Sequence, residues 1–256
     1  MRHIDYSVSD GVATIRFNRP EKKNALTLAM FLDFKSSMAQ ANADEKVRAV
    51  IVTGAGNAFT AGNDITIFRD RTGRENGGPA EQFMRSIAET EKPLIAAVNG
   101  VAAGVGVTML LHCDLVYVAD DASFLLPFIN LGMCSEFASS ITLPATMGLQ
   151  RASEILFLGE KFNAQRAMEF GFVNAIHPAG DVYAAALAAA RRIAGQSVEG
   201  VRATRAFLRR EARPHLVSRL LEERNTITDL INLPEAQAAF AAFLSRSGRN
   251  GGTAAA

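Results

Sequence analysis

The sequence predicts an α/β fold in which buried strands alternate with helices and then give way to a helical C-terminal region. Three observations carry that prediction. Residues 94–98 are a continuous apolar run of strand length, the pattern of a strand covered on both faces, and residues 47–52, interrupted only by Arg48, read as a second buried strand. Ahead of them Leu28, Phe31, Leu32, Lys35, Met38 and Ala39 recur at helical spacing. From Val182 onward every segment is helical in pattern, punctuated by Pro214 and Pro234.

Each element follows from local chemistry. Residues 4–8 and 12–17 alternate around Asp10-Gly11, a hairpin signal. The polar loop Asn18 to Leu26 ends at Thr27, which reads as the N-cap of a helix reaching about Ala43. After the strand at 47–52, Thr53 to Asn57 turns the chain, and Ala61-Gly62-Asn63-Asp64 turns it again. The polar stretch 69–79 reads as a loop, and a helix over 80–91 follows. The strand at 94–98 breaks at Asn99-Gly100, Gly104 and Gly106 follow, and a buried helix starts near Val107. Strands are expected at 115–119, 123–126 and 172–176, and helices at 138–146, 150–158 and 163–170. The segment 129–137 is irregular, with Gly132 and a lone carboxylate, Glu136. Helices over 182–194, 199–212, 216–232 and 235–245 complete the chain, and the Gly/Ala-rich residues 247–256 are expected to be disordered.

Composition narrows the function. Among 256 residues, 27 basic and 26 acidic side chains leave a net charge of +1, so a nucleic-acid surface is not indicated. The hydrophobic content of 48% contains no apolar run long enough to span a bilayer, so no membrane partner is expected. The charged, strand-like start Met-Arg-His-Ile-Asp-Tyr predicts no signal peptide, and the end Gly-Gly-Thr-Ala-Ala-Ala is not a peroxisomal address, which makes a cytoplasmic location the expectation. Cys113 and Cys134 read as core thiols, His112 as a packed core residue, and Asp114 as structural. The four histidines are isolated from one another, so no metal site is expected.

The glycine turns carry the chemical argument. Gly104-Val105-Gly106 follows a buried strand and opens a helix, so backbone N–H groups there point into a crevice at the positive end of a helix. The spacing matches neither a P-loop nor a dinucleotide fingerprint. If the Gly62 turn faces the same crevice, the N–H groups of Asn63 and Val105 form a two-donor oxyanion hole for an enolate. Such a site needs a base within reach of the α-carbon. Glu136, in a segment where a carboxyl is partly desolvated and its pKa raised, is the best candidate; a solvated loop glutamate is the competing reading.

Together these segments resemble the crotonase, or enoyl-CoA hydratase/isomerase, superfamily from Ile4 to about Leu244. The matching stretches are Asn18-Arg19-Pro20 with Asn24-Ala25-Leu26, Phe59 to Ile65, Lys92 to Gly100, Cys113-Asp114 and Gly171-Phe172-Val173. The resemblance implies a ββα spiral over residues 1–195 carrying an acyl-CoA site. It also implies a helical region over 196–256 that serves as lid or trimerisation layer, in a homotrimer or dimer of trimers. It implies an acyl-CoA thioester substrate, with CoA part of the substrate and no separate cofactor. By analogy it puts the oxyanion donors on Asn63 and Val105, and Ala25, Ala61 and Ile65 at the adenine and pantetheine; Asp64 is counted with these substrate-binding positions, although its own chemistry reads as structural, ordering backbone N–H groups near the turn. Leu126, Phe128 and Leu131 are expected to line the acyl pocket.

The positions matching the two hydratase glutamates are Thr108 and Phe128, neither able to accept a proton. Residues 128–140 instead look like the Δ3,Δ2-enoyl-CoA isomerase branch, whose catalytic glutamate matches Glu136. This chain has Ser135, Phe137 and Ala138 where that branch carries proline and glycine around the glutamate. The expected reaction is 3-enoyl-CoA to trans-2-enoyl-CoA isomerisation. Hydration, another crotonase reaction, and silent CoA-ester binding are the alternatives.

Overall fold

The computed structural model describes residues 3–64, 67, 77–210 and 213–250, with side chains omitted at 213–214 and 243–250. Its strands are β1 (Ile4–Ser9), β2 (Val12–Phe17), β3 (Ala49–Gly54), β4 (Ala58–Thr60), β5 (Leu94–Val98), β6 (Val101–Ala103), β7 (Leu115–Ala119), β8 (Ser123–Leu125), β9 (Phe162–Asn163) and β10 (Ala175–His177). They form two sheets, ordered β1-β2-β3-β5-β7-β10 and β4-β6-β8-β9. Successive turns of chain give one strand to each sheet: β3 then β4, β5 then β6, β7 then β8. That alternation is the ββα spiral that the resemblance implies.

The hairpin β1–β2 pairs antiparallel, Ile4 opposite Phe17 and Ser9 opposite Val12. Asp10 and Gly11, with φ of 51° and 76°, make the left-handed two-residue turn that the strand twist favours. All other pairs in the larger sheet are parallel, and β3 and β5 are buried at every position, which is why residues 49–52 and 94–98 read as unbroken apolar stretches.

The helices are α1 (Leu28–Ala43), α2 (Pro79–Ala88), α3 (Val105–Thr108), α4 (Ser139–Met147), α5 (Leu149–Leu158), α6 (Ala164–Glu169), α7 (Val182–Ala194), α8 (Val198–Arg209), α9 (Arg213–Leu230) and α10 (Pro234–Asn250). Thr27 caps α1 by accepting from Met30 N–H at 3.3 Å. Phe31 and Phe34 of α1 meet Phe83 of α2 at ring separations of 4.9 and 4.8 Å, and Phe34 stacks on Phe17 of β2. The C-terminal helices share this core through Leu220, Ile231, Ala236 and Phe240. Asp114 fastens α8 to the sheet: it accepts from Leu94 N–H at 2.8 Å and pairs with Arg205 and Arg209. It is a structural residue, as the sequence suggested.

Three expectations are corrected. The helix expected from Val107 begins at Val105 and tightens to a 3-10 turn over Met109–His112. The strand expected at 172–176 forms only over Ala175–His177. Phe172 is drawn instead into an aromatic cluster with Phe124 and Phe162, and Asn174 hydrogen-bonds the backbone of Val116. The helix expected to stop at Ser245 runs to Asn250, so 247–250 are helical; 251–256 lie outside the described residues. The expected loop over 69–79 likewise falls mostly outside them.

Candidate active site

The two glycine turns meet because β4 and β6 are parallel neighbours, with Ala58 opposite Val101 and Thr60 opposite Ala102. The chain therefore leaves both strands at the same end. Gly62 has φ of +84°, and a Cβ there would lie 2.6 Å from the Ala103 carbonyl oxygen. A Cβ on Gly106 would lie 2.5 Å from Thr60 Cγ2. Only glycine permits this double approach.

Backbone pairing then decides which N–H groups remain free. Leu26 N–H donates to Gly62 O and Asp64 N–H donates to Leu26 O, each at 2.8 Å, in an isolated parallel bridge. Both groups flanking Asn63 thus point toward Leu26, and the Asn63 N–H points the other way. At the second turn, Gly104 O accepts from Val107 N–H at 2.9 Å and Thr108 N–H at 3.1 Å. That leaves the N–H groups of Val105 and Gly106 as first-turn donors without an acceptor among the described residues.

The loop carrying this turn is pinned by Asn24, fully buried, whose side chain accepts from Arg19 N–H and donates to the carbonyls of Ala55 and Ala58. Arg19 reaches Asp64 at 2.6 Å and the Ala25 carbonyl at 3.1 Å. Ala25, Ala61 and Asp64 consequently surround the Asn63 turn, while Ile65 lies outside the described residues.

Glu136 shares a cleft wall with Asn63. The other lining residues are Leu28 of α1, Ile67, Ala80 and Met84 of α2, Phe137, and Leu220, Arg224, Ile227 and Thr228 of α9. The cleft encloses about 590 Å³ of space between atoms, its open mouth included. Most of the wall is hydrocarbon, so the Glu136 carboxylate is poorly solvated. Burial, helped by repulsion from Glu223, pushes its pKa up to about 7. No described donor hydrogen-bonds its side chain. The Asn63 Oδ1 atom is also buried without a partner among the described residues.

The chain leaves Glu136 through two consecutive left-handed residues, Phe137 (φ 61°) and Ala138 (φ 57°). Neither is glycine, and such positions each cost about 1–3 kcal/mol unless their surroundings hold them. His112 supplies one hold: its ring stacks on Phe137 at 4.1 Å and Nε2 lies 2.8 Å from the Phe137 carbonyl. That nitrogen must carry the proton. Full burial depresses the His112 pKa to about 4, keeping the ring neutral.

The sequence expectations separate here. Asn63 and Glu136 come together in one wall, and Val105 sits at the adjoining turn. Phe128 and Leu131 do not join that wall. Phe128 is buried in the core, and the 3-10 turn Ile129–Leu131 packs beneath α10, where Ala236 abuts Gly132. The residues the sequence left unassigned are those of α1, α2 and α9. On α9, Leu220, Arg224, Ile227 and Thr228 have the i, i+4, i+7, i+8 spacing of one helix face, the available signal for them.

The enoyl-CoA hydratase/isomerase family profile matches residues 7–249. The chain belongs to the enoyl-CoA hydratase/isomerase family. It is 40% identical over 174 residues to enoyl-CoA delta isomerase 2 of Rattus norvegicus, covering 66% of this chain and 44% of that protein. It is 32% identical over 247 residues to the human protein of that name, covering 94% of this chain and 62% of the relative. The chain thus spans less than two thirds of either relative's length. The structure of Pseudomonas aeruginosa OdaA superposes with a TM-score of 0.91 at 38% identity, over 95% of this chain and 99% of OdaA. Family members named as dehalogenases and as a hydratase also match over most of the chain.

Proposed function

We propose that this family member isomerises a 3-enoyl-CoA to the trans-2-enoyl-CoA by a 1,3-proton transfer. The observation that carries the reading is one ionisable base, Glu136, poised near neutrality in an apolar wall beside Asn63. The other polar wall groups, the Arg224 guanidinium and the Thr228 hydroxyl, are poor proton acceptors.

The carboxylate of Glu136 takes a proton from carbon 2, which the thioester and the 3,4-double bond both acidify. The C–H electrons move toward the thioester carbonyl, giving a dienolate whose oxygen accepts from the Asn63 and Val105 N–H groups. The neutral Glu136 then returns the proton to carbon 4, the double bond settles between carbons 2 and 3, and the carboxylate is regenerated. A pKa near 7 suits both halves of that cycle. Ala25, Ala61, Asp64 and Ile65 are assigned to the CoA portion, and the apolar wall to the acyl chain. Self-association as a trimer or dimer of trimers belongs to the same reading. It is supported by exposed Leu149, Phe157 and Leu158 on α5 and Phe207 and Leu208 on α8.

Hydration is the second reading, favoured by the hydratase among the relatives. It calls for a water held by paired carboxylates, and both Thr108 and Phe128 are buried. The test mixes the protein with a 3-enoyl-CoA and, separately, a trans-2-enoyl-CoA, following conjugated-thioester absorbance. A rise with the first and no loss with the second is expected. Loss with the second would establish hydration instead, and silence in both would leave binding without turnover.

A further inference from the structure

Glu223, in the middle of α9, has a buried carboxylate that faces the backbone beside Glu136. Its Oε2 accepts from Ala138 N–H at 2.6 Å and its Oε1 from Ser140 N–H at 3.0 Å. Those donors are the N-cap residue of α4 and a residue of its first turn, and Ala138 has no side chain to cap the helix itself. A residue more than eighty positions away therefore supplies the cap, and it grips the second of the two left-handed residues that follow the base. His112 grips the first. On the cleft side of α9, Leu220, Arg224 and Ile227 line the space Glu136 faces.

From this geometry we infer that Glu223 is a positioning residue for Glu136, acting through the Phe137–Ala138 turn. The assignment rests on Glu136 being the base. Without the two charge-assisted hydrogen bonds, the strained turn keeps His112 and the backbone bonds to the Glu136 and Ala138 carbonyls but no side-chain acceptor for the Ala138 N–H, and the base shifts away from the substrate carbon. Glu223 also acts through space. It is a like charge behind Glu136, and burial raises its own pKa while the Ser140 and Ala138 N–H groups and Arg219 oppose the rise. Among the described residues, the charged and titratable groups around the pair are Arg219 and Arg224 on α9, Glu81 of α2 paired with Arg224, Cys134 on the segment before Glu136, and His112 beneath Phe137.

Two substitutions separate the roles. Glu223→Asp keeps the charge but withdraws the carboxylate by one methylene. We expect turnover to fall about 10²-fold with KM little changed, the acid limb of the pH profile staying in place. Glu223→Gln removes the charge, and Glu136 should then titrate about one pH unit lower. That titration is read by carbon-13 NMR of labelled glutamate, assigned with Glu136→Gln, and needs no turnover. A shifted Glu136 titration in a protein that isomerises nothing supports the link while ending the isomerase reading. Unchanged turnover in Glu223→Asp together with unchanged Glu136 titration in Glu223→Gln overturns the inference. Should Glu223→Gln not fold, the native protein decides. A Glu136 titrating alone at an ordinary glutamate value also overturns it, and a raised titration coupled to a second carboxyl supports it.

Discussion

Replacing Glu136 with glutamine should make the protein more stable while abolishing its turnover. The folded state pushes the Glu136 pKa from 4.5 up to about 7. Between those values the folded protein holds a proton that the unfolded chain has lost, so stability falls as pH rises through that window and levels off above it. Each unit is worth about 1.4 kcal/mol, which puts the full cost of ionising Glu136 in its apolar wall at about 3 kcal/mol. Glutamine imitates the neutral acid and never bears that cost. Glu136→Gln should therefore gain about 3 kcal/mol over the native protein at pH 8, and close to nothing below pH 4.5. For a chain of this size that corresponds to a melting-temperature gain of roughly 5–10 °C at pH 8. Thermal or urea unfolding of both proteins at pH 4.5 and 8, beside an absorbance assay with a 3-enoyl-CoA, reads the two effects together. A gain equal at both pH values, or no gain at all, would refute the argument that the cleft desolvates this carboxylate.

Other consequences can be checked alongside. In native protein, kcat/KM for isomerisation should climb about tenfold per pH unit below about pH 7 and flatten above it, because only ionised Glu136 accepts the proton. A flat profile from pH 5 to 8 would remove Glu136 from that step. Gly62→Ala should cost at least about 2 kcal/mol, since its Cβ would press on the Ala103 carbonyl in a left-handed backbone. Unaltered unfolding in urea would contradict that contact. His112→Phe keeps a ring under Phe137 but leaves its buried carbonyl without a donor, costing about 1–3 kcal/mol. Its turnover should drop as well, and a variant with native stability and rate would mean the carbonyl is not held by His112. Light scattering after size exclusion should give three or six chains per particle, and a monomer would leave Phe157, Leu158, Phe207 and Leu208 as plain exposed surface.

Much of the candidate site was legible in the chain because the donors proposed for it are backbone groups. Glycine records where a backbone must turn or approach another, so Gly62, Gly104 and Gly106 mark Asn63 and Val105 from local sequence alone. Glu136 was legible as a solitary carboxylate in a segment otherwise poor in charge. The same segment hid the rest. An irregular stretch has no period, so nothing told whether Phe128 and Leu131 face the cleft or the core, and they face the core. The left-handed turn at Phe137 and Ala138 was invisible because its side chains are not those that adopt that conformation readily; distant groups impose it. Leu220, Arg224 and Ile227 showed the periodicity of a helix face, but which surface that face would meet is a tertiary fact. The buried strands β3 and β5 fell at the apolar stretches, whereas the short β10 was overestimated because Phe172 found aromatic partners.

The placement of α9 has a consequence for anyone wishing to change what this protein accepts. Leu220 and Ile227 touch the cleft proposed for the acyl chain, and Glu223 sits between them on the same helix with its carboxylate on the backbone beside Glu136, the proposed base. Redesigning chain-length preference there would shift the helix, and the shift would be felt as a lost rate rather than only a weakened fit. Leu28 and Met84 line the same cleft from α1 and α2, which make no hydrogen bond to the Phe137–Ala138 turn among the described residues. On the proposed reading, substitutions at Leu28 or Met84 should change acyl preference with less effect on turnover than substitutions on α9.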